Sequence, residues 1–303
     1  MKYFPKKLTM TWIRNSYKEG SLTPEELAGE IVRRAEKYRD YNIWIVAPDL
    51  KRMMGYIKKL PKDMESLPLW GIPFAVKDNI DVAGSPTTAA CPDYAYDPKE
   101  DAAVVKKLIE TGAFPVGKTN LDQFATGLVG TRSPYGEVKN ALDPELISGG
   151  SSSGSAVSVA LGMAAFSLGT DTAGSGRVPA ALNCLVGYKP SLGAWSTKGV
   201  VPACASLDCV TVFANSLEDA EKVNLAARGV DEECCWSREY KEPLPKLPKK
   251  ICLAKDGVTF YGPYEDIYKA KWEQAKKRIE DMGITVESVS YTHLRAHETL
   301  RHL

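Results

Sequence analysis

The chain has 303 residues, of which 44% are hydrophobic and 25% are charged, and its 39 Lys and Arg residues nearly balance 38 Asp and Glu residues. This length and composition are typical of an ordered globular protein with one large core or two small ones. The balanced charge disfavours proteins that hold nucleic acid or an anionic membrane through a basic surface.

The first sixty residues are predicted to be helical. Thr23 is a predicted N-cap, Pro24 the first helical residue and Glu26 a side chain able to return to the cap amide. The apolar face of this helix consists of Leu27, Ile31, Val32 and Ala35. A second helix is predicted over residues 48–60.

Beyond residue 68, extended and helical segments alternate, and this alternation predicts an α/β layered fold. A buried strand over 69–76 leads directly to Lys77. The other predicted strands are 114–117, 165–169, 251–254 and 284–289. The other predicted helices are 101–111, 121–127 with Asn120 as its cap, 156–164, 217–227 and 264–282.

We divide the chain into an N-terminal helical segment (1–62), a core (63–289) and a non-native tail (290–303), with 241–250 as the best linker. The tail, SYTHLRAHETLRHL, matches neither the composition nor the rhythm of the preceding sequence. It resembles a translated adapter at the end of a truncated reading frame. We therefore expect the natural protein to continue past about residue 288 and the core to be incomplete.

The cysteines and the apolar runs bear on the cellular compartment. Seven cysteines occur without metal-ligand spacing or a secretory leader: Cys91, Cys184, Cys204, Cys209, Cys234, Cys235 and Cys252. This usage predicts a reduced, cytoplasmic protein. The most apolar run, 156–166, is shorter than the roughly 20 residues that a membrane span needs, so we expect no span.

Histidine is confined to the C-terminal end, at His293, His297 and His302. The absence of imidazole from residues 1–292 disfavours a Ser-His-Asp triad, a Cys-His dyad and an HExxH zinc site. We expect neither a metal nor an organic cofactor. Lysine and the carboxylates remain as candidate bases.

Two segments rich in glycine and serine are suited to amide hydrolysis, which needs a nucleophile, a proton path and donors for an oxyanion. Ser175 ends the turn TDTAGSG and is the candidate nucleophile. The candidate oxyanion-hole donors are the N–H groups of Thr172, Ala173, Gly174 and Ser175. We expect Ser152, Asp171 and Arg177 to support the site, Arg177 through backbone carbonyls or through Asp171.

Lys77 is the candidate base, because burial can lower the pKa of a lysine by up to roughly 3–5 units. Ser151, in the loop GGSSSG, is placed to relay a proton between Lys77 and Ser175. We expect the three side chains to form a continuous hydrogen-bonded chain. Taken singly, each feature has a plainer interpretation: the loop as a flexible linker or phosphate cradle, Lys77 as a solvated lysine and Ser175 as a turn residue.

Six segments occur in order between about residues 69 and 218: GIPFAVKDNI, TTAACP, GKTNLDQFATG, GGSSSGSAVSVALG, GTDTAGSGRVPAA and GYKPSLG. Together they resemble the amidase-signature family. The resemblance implies a mixed β-sheet core between helices. It also implies a catalytic set made of Lys77, Ser151 in a cis peptide and the nucleophile Ser175, with an acyl-enzyme that water clears.

One position departs from the common family pattern, because Ser153 stands where a glycine is more usual. Together with the segments GLVGTRSPYG and TKGVVPACASLDCV, this departure makes the sequence similar to the allophanate hydrolases. Those enzymes cleave allophanate, with ammonia and carbon dioxide as the eventual products. The resemblance implies substrate contacts from Gly130, Thr131 and Arg132, although Arg132 also fits a surface arginine. It further implies a urea carboxylase partner, separate or fused, and we expect a homodimer at full length.

In allophanate hydrolases the tyrosine and arginine that grip the substrate carboxylate lie further along the chain, so we do not expect full activity from this sequence as it stands. Three alternatives stay open. The first is the A subunit of a glutamyl-tRNA amidotransferase or a general amidase. The others are a nitrilase-like enzyme with a catalytic cysteine and a non-catalytic scaffold.

Overall fold

The structure is a computed structural model that describes residues 3–241, 246–255 and 258–290. The chain divides into two compact units, residues 1–240 and 241–303. The predicted tail at 290–303 lies outside the described residues except for its first residue, and the predicted linker at 241–250 is described only in part. The division at residues 62 and 63 stays a prediction.

The first unit consists of helices and strands that alternate along most of the chain. In order they are α1 (Met10–Lys18), α2 (Pro24–Lys37), β1 (Trp44–Val46), α3 (Leu50–Ile57), β2 (Pro73–Lys77), α4 (Ala103–Glu110), β3 (Phe114–Thr119), α5 (Ser153–Ala160), β4 (Phe166–Asp171), α6 (Val178–Leu182), β5 (Val186–Tyr188), β6 (Cys209–Ala214) and α7 (Leu217–Ala227).

These strands form one mixed sheet in the order β1-β3-β2-β4-β6-β5. The central strands β3, β2 and β4 run parallel to one another, whereas β1, β6 and β5 each pair antiparallel with their neighbours. The predicted α/β fold with a mixed sheet flanked by helices is confirmed. Because β2 and β4 are parallel neighbours, Lys77 and the turn that follows Asp171 lie at the same edge of the sheet.

The N-terminal helices follow the predicted capping chemistry. Thr23 accepts a hydrogen bond from the N–H of Glu26, and the Glu26 side chain accepts one from the N–H of Thr23, which completes a capping box. Leu27 and Ile31 are fully buried on the predicted face. The second predicted helix is also present, although α3 is shorter than predicted at both ends.

The core lies around the central strands and α5. Every residue of β2, β3, β4 and α5 is buried, and the rings of Phe74 and Phe166 stack with centroids 5.2 Å apart. The small residues of α5 permit this close approach. A Cβ at Gly154 would lie 2.4 Å from the carbonyl oxygen of Ile43, so a larger residue does not fit there.

Two predictions in this unit are wrong. Residues 44–46 form the edge strand β1 rather than helix, because the backbone there pairs with β3. Residues 121–127 do not form a helix and contain only a 3₁₀ turn at Gln123–Ala125. The Asn120 side-chain carbonyl oxygen accepts from the N–H of Leu121 and from the Ser133 hydroxyl instead of capping a helix.

The second unit is a small β-α-β arrangement. Strands β7 (Lys250–Ala254) and β8 (Thr285–Val289) pair in parallel, and α8 (Glu265–Asp281) connects them. All three elements are close to the predicted ranges. The helix ends two residues before Gly283, whose φ of +78° suits the left-handed end of a helix.

Two further observations concern the described ranges as a whole. Within them no helix combines the length and apolar character that crossing a membrane requires. All seven cysteines are free thiols.

Candidate active site

Lys77 lies at the end of β2 with no exposed surface. Its Nζ donates to the Ser151 Oγ at 2.8 Å and to the Thr170 Oγ1 at 2.7 Å. Within the described part of the chain it forms no ion pair. The amine is therefore held by two hydroxyl groups rather than by a carboxylate.

This environment changes the proton affinity of the amine. Burial lowers the pKa of Lys77 to about 7, although the negative charges of Asp122, Asp171 and Asp208 act in the opposite direction. Desolvation dominates because a charged ammonium loses its hydration in the sheet interior. A lysine with this pKa is substantially uncharged at neutral pH and can accept a proton.

Ser151 stands in the loop before α5, and the peptide bond between Gly150 and Ser151 is cis. The N–H of Gly150 donates to the Leu128 carbonyl at 2.9 Å. The next residue, Ser152, is bound to the backbone of Thr170 through its hydroxyl, which donates to the carbonyl at 3.1 Å and accepts from the N–H at 3.3 Å. The serine loop is thereby fixed to the strand β4.

Ser175 is 5% exposed, and its hydroxyl donates to the Gly127 carbonyl at 3.5 Å. Segment 127–128 consequently contacts both serine loops, since the Leu128 carbonyl binds Gly150. In the described residues no hydrogen bond joins the Ser151 and Ser175 hydroxyls. The first link of the predicted chain is present in this structure and the second is not.

The turn after β4 presents several backbone amides. The N–H groups of Thr172, Ala173 and Ser175 have no acceptor within the described ranges. The N–H of Gly174 differs, because it already donates to the Asp171 carboxylate at 2.8 Å. Of the four predicted oxyanion donors, three therefore remain for the oxygen of a ligand.

Asp171 is a fully buried carboxylate that holds this turn together. It accepts from the N–H groups of Gly174 and Gly176 and from the side chains of Arg177 and Lys189, all at 2.8–3.2 Å. Burial alone would raise the pKa of Asp171, but the Arg177 hydrogen bond, the Lys189 charge and the Gly176 amide lower it to about 2. The carboxylate is therefore ionised at neutral pH. Lys189 lies in the segment GYKPSLG, but the sequence analysis assigned it no role.

Replacing Asp171 with asparagine is expected to lower the free energy of unfolding at pH 7 by about 2–3 kcal/mol, since it leaves two cations without their partner. The folded pKa lies below the unfolded value of about 3.9. The stabilisation from Asp171 is thus fully present above about pH 5 and is lost as the pH falls toward 2. Urea unfolding at several pH values between 7 and 3 measures the difference.

The matched control is Asp93→Asn, because Asp93 is exposed and makes no side-chain hydrogen bond within the described ranges. The control should change stability by less than about 0.5 kcal/mol. An Asp171→Asn variant no less stable than the control would contradict the role of Asp171 in holding the turn.

The predicted substrate loop is organised by Asp122, a buried residue that the sequence analysis did not single out. Its carboxylate accepts from the N–H of Gly130 at 3.1 Å and from the N–H of Arg132 at 2.8 Å. Gly130 is buried, Thr131 is half-buried and Arg132 is exposed. The Arg132 guanidinium donates to the Thr126 carbonyl at 3.1 Å. This loop lies beside the serine loops, but Arg132 is turned toward its own segment.

Gly130 occupies a position that only glycine fits. Its φ is +84°, and a Cβ there would lie 2.5 Å from the Ser148 Oγ and 2.6 Å from the Gly149 carbonyl oxygen. Gly130→Ala is expected to lower the free energy of unfolding by about 2–4 kcal/mol, because the backbone oxygen cannot move away cheaply. Gly84→Ala is the control, since Gly84 has a φ of +73° with nothing within 4 Å.

The control should lose only the conformational cost of about 1 kcal/mol. Urea unfolding of both variants gives the comparison, and an equal loss in the two would contradict the packing argument.

Ser153, the position that departs from the common family pattern, is the first residue of α5 and is fully buried. Its Cβ lies 3.0 Å from the place that a Cβ on Gly130 would occupy. Its hydroxyl has no hydrogen-bond partner in the described part of the chain. The side chain therefore packs against the predicted substrate loop.

Two more polar contacts were missed by the sequence analysis. The Thr172 hydroxyl donates to the carboxylate of Asp208, the residue just before β6. Asp78, the neighbour of Lys77, forms a buried ion pair with Lys118 at 3.2 Å. Neither contact has a sequence signal, because each joins single residues that lie far apart in the chain.

A buried lysine bonded to a serine, beside a second serine in a turn of free amides, is typical of serine hydrolases that use no histidine. The amidase family model, described as Amidase, matches residues 26–300. The chain belongs to the amidase family, as the sequence motifs predicted.

Individual relatives agree with this assignment. The chain is 52% identical over 226 residues to the urea amidolyase of Saccharomyces cerevisiae, a match that covers 73% of this chain and 12% of the amidolyase. It is 36% identical over 296 residues to the A subunit of the glutamyl-tRNA(Gln) amidotransferase of Methanosarcina mazei, a match that covers 96% of this chain and 61% of that protein.

Among solved structures, an allophanate hydrolase of Kluyveromyces lactis superimposes with a TM-score of 0.83 and 41% identity, over 94% of this chain and 47% of that one. The chain thus spans only part of the length of each of these relatives.

Proposed function

We propose that the protein hydrolyses a small linear amide, with allophanate as the substrate, through an acyl-enzyme formed on Ser175. The observation that carries the proposal is the buried contact of 2.8 Å between the Lys77 amine and the Ser151 hydroxyl. Such a contact gives a serine hydroxyl a base without histidine. The 41% identity to an allophanate hydrolase of Kluyveromyces lactis supports allophanate as the substrate.

In the first half of the reaction, the Ser175 oxygen attacks the amide carbonyl carbon of the substrate. The Ser175 proton passes to Ser151 Oγ while the Ser151 proton passes to Lys77 Nζ. For this transfer the two serine hydroxyls must approach within hydrogen-bonding distance when substrate binds. This requirement is an ordinary one, because catalytic hydrogen bonds tighten in the substrate complex.

The negative charge that develops on the carbonyl oxygen is accepted by the N–H groups of Thr172, Ala173 and Ser175. Collapse of the tetrahedral intermediate breaks the C–N bond, and the proton on Lys77 returns through Ser151 to the leaving nitrogen, which departs as ammonia. Water then attacks the Ser175 ester with the same two groups removing its proton. This second half restores the Ser175 hydroxyl and releases the acid.

In this proposal Ser152, Asp171 and Arg177 support the site, as the sequence analysis expected. Asp171 and Arg177 hold the turn that contains Ser175, and Ser152 holds the serine loop to β4. Gly130 and Thr131 contribute the side of the substrate site that Asp122 organises. The outward direction of Arg132 makes it the weakest of the predicted substrate contacts, and the exposed-arginine interpretation fits it better.

The proposal extends to a urea carboxylase as a partner, separate or fused, and to a homodimer at full length. The matched region is 12% of the S. cerevisiae urea amidolyase, so most of that protein consists of other segments. Co-purification of the full-length protein with a urea-dependent carboxylase activity tests the partner, and light scattering tests the dimer.

The test of the substrate is ammonia release from allophanate by the full-length protein, measured beside ammonia release from glutamine. We expect release from allophanate alone. A small fluorophosphonate probe, which reacts with an activated serine, should label Ser175 in the same preparation. Turnover of glutamine without turnover of allophanate would reject the substrate, and a failure to label Ser175 would reject the serine mechanism.

A second candidate function is that of the A subunit of a glutamyl-tRNA(Gln) amidotransferase. The observation in its favour is the match to the M. mazei protein over 96% of this chain. Both candidates use the same serine chemistry, so only the substrate separates them. Glutaminase activity that appears on adding partner subunits would favour this second candidate.

A further inference from the structure

The turn that carries Ser175 is held at both ends by carboxylates, those of Asp171 and Asp208. Asp171 binds the N–H groups of Gly174 and Gly176. At the other end, the Asp208 carboxylate accepts a hydrogen bond from the Thr172 hydroxyl. The two carboxylates lie at the ends of neighbouring strands, because β4 and β6 are antiparallel and Asp171 pairs with Cys209.

The surroundings of Asp208 differ from those of Asp171. Asp208 is 5% exposed, and besides Thr172 it accepts from the N–H groups of Ala203 at 2.9 Å and Cys204 at 3.0 Å. No cation lies within ion-pair distance of it in the described residues, whereas Asp171 contacts Arg177 and Lys189. Asp208 is instead bonded by three neutral donors.

The bond to Thr172 matters because of what the Thr172 backbone does in the proposed reaction. Thr172 is the first residue after β4, and its N–H is one of the three free amides of the turn. An oxyanion donor is effective only when its direction is fixed before the reaction. The Thr172 side chain is anchored on Asp208, and the Thr172 carbonyl accepts from the Lys189 Nζ at 3.3 Å. These two contacts hold a residue whose own N–H has no acceptor in the described residues.

We propose that Asp208 is a positioning residue that holds the Thr172 amide toward the substrate oxygen through the Thr172 hydroxyl. Asp208 does not itself touch the substrate in this account. The inference rests on the proposed function only through Ser175 as the nucleophile, and it holds for any acyl group that Ser175 accepts.

The test measures the second-order rate at which a fluorophosphonate labels Ser175, because the phosphoryl oxygen of the probe uses the same amides as a substrate oxygen. Thr172→Val removes the hydroxyl at nearly constant shape, and Asp208→Asn removes the charge. We expect each variant to label about 10- to 100-fold more slowly than the wild type. We expect the double variant to be no slower than the slower single variant, because both changes break one contact.

The pH dependence separates positioning from a purely structural role. The charged groups that act on Lys77 are Asp122, Asp171 and Asp208, and the charge of Asp171 is offset by its two cations. Since the Asp208 charge raises the pKa of Lys77, Asp208→Asn should move the acid limb of the labelling rate to lower pH. Thr172→Val should not shift the acid limb of the labelling rate.

Thr111→Val is the matched control, because in the described part of the chain the Thr111 hydroxyl binds only the Leu108 carbonyl, at the end of α4. It should label at the wild-type rate. Circular dichroism identifies any variant that does not fold, and Thr172→Val alone decides the matter if Asp208→Asn is such a variant.

The outcomes are distinct. If the wild type is labelled and folded Thr172→Val is labelled at the same rate, the inference is overturned and the proposed function stays intact. Effects that multiply in the double variant overturn it as well, because two independent contacts would then be involved. An absence of labelling in the wild type rejects Ser175 as the nucleophile and the inference with it.

Discussion

Replacing Ser175 with alanine is expected to reduce allophanate turnover by about 10⁵- to 10⁶-fold, the size of effect that removal of a covalent nucleophile produces in serine hydrolases. The residual rate would come from binding and from the free amides of the turn. The loss should appear in kcat rather than in KM, because the hydroxyl reacts without contributing much to binding. Ammonia release under saturating substrate measures it.

The same variant distinguishes the serine mechanism from a thiol mechanism, since it retains all seven cysteines. Cys209, the cysteine that begins β6, is a poor nucleophile because burial raises the pKa of its thiol to about 11. Ser191→Ala is the control, because Ser191 is exposed and, among the residues that the structure describes, uses only its backbone carbonyl in a hydrogen bond. Full activity in Ser175→Ala would exclude Ser175 as the nucleophile.

Much of the fold could be predicted because its signals are local. The capping box at Thr23 and Glu26 depends on residues three positions apart, and the strand before Lys77 is a short apolar run that ends in a charge. The predicted range of helix α7, 217–227, agrees with the observed bounds, and the Ser216 side chain caps its first turn. Local chemistry of this kind does not depend on the rest of the fold.

The two errors have different causes. The sequence WIV at 44–46 consists of residues that favour strands, and the prediction of helix over the first sixty residues missed this short segment, which pairs with β3. Residues 121–127 resemble a helix start, but the side chains of Asn120 and Asp122 accept hydrogen bonds from the loop around residues 130–133. Neither contact can be recognised from local propensity alone.

The candidate site likewise contains residues that the sequence identifies and residues that it does not. Ser151 and Ser175 stand in glycine- and serine-rich motifs and Lys77 ends a buried apolar strand, so the sequence could propose them. Thr170 and Asp208 also lie in quoted segments, but nothing local indicates that they contact Lys77 and Thr172. They do so because β2, β4 and β6 are neighbours in the sheet. Residues of this kind need the sheet order, which a single sequence does not provide.

Replacing Lys77 with methionine is expected to reduce turnover by about 10²- to 10⁴-fold, the range that a general base contributes. Methionine has nearly the same length and cannot accept a proton. Unlike most substitutions of a buried polar residue, this one should not destabilise the protein, because it removes a desolvated amine from the interior. Lys106→Met, at an exposed position of α4, is the control and should change neither quantity appreciably.

The pH dependence of turnover and of stability follows from the pKa of about 7 that Lys77 has in the folded protein. In the wild type, kcat should fall about tenfold for each pH unit below 7, because the protonated amine cannot accept a proton from Ser151. The unfolded pKa is about 10.4. Since the unfolded chain binds the extra proton, wild-type stability rises with pH between about 7 and 10, and the penalty is fully present below 7.

The stability gained in Lys77→Met should therefore be larger at pH 6 than at pH 9. Urea unfolding at the two pH values gives that difference, and a rate profile from pH 5 to 9 gives the acid limb. A wild-type rate that stays constant from pH 8 down to pH 5 would mean that Lys77 does not act as a base. The buried contact with Ser151 would then be only structural.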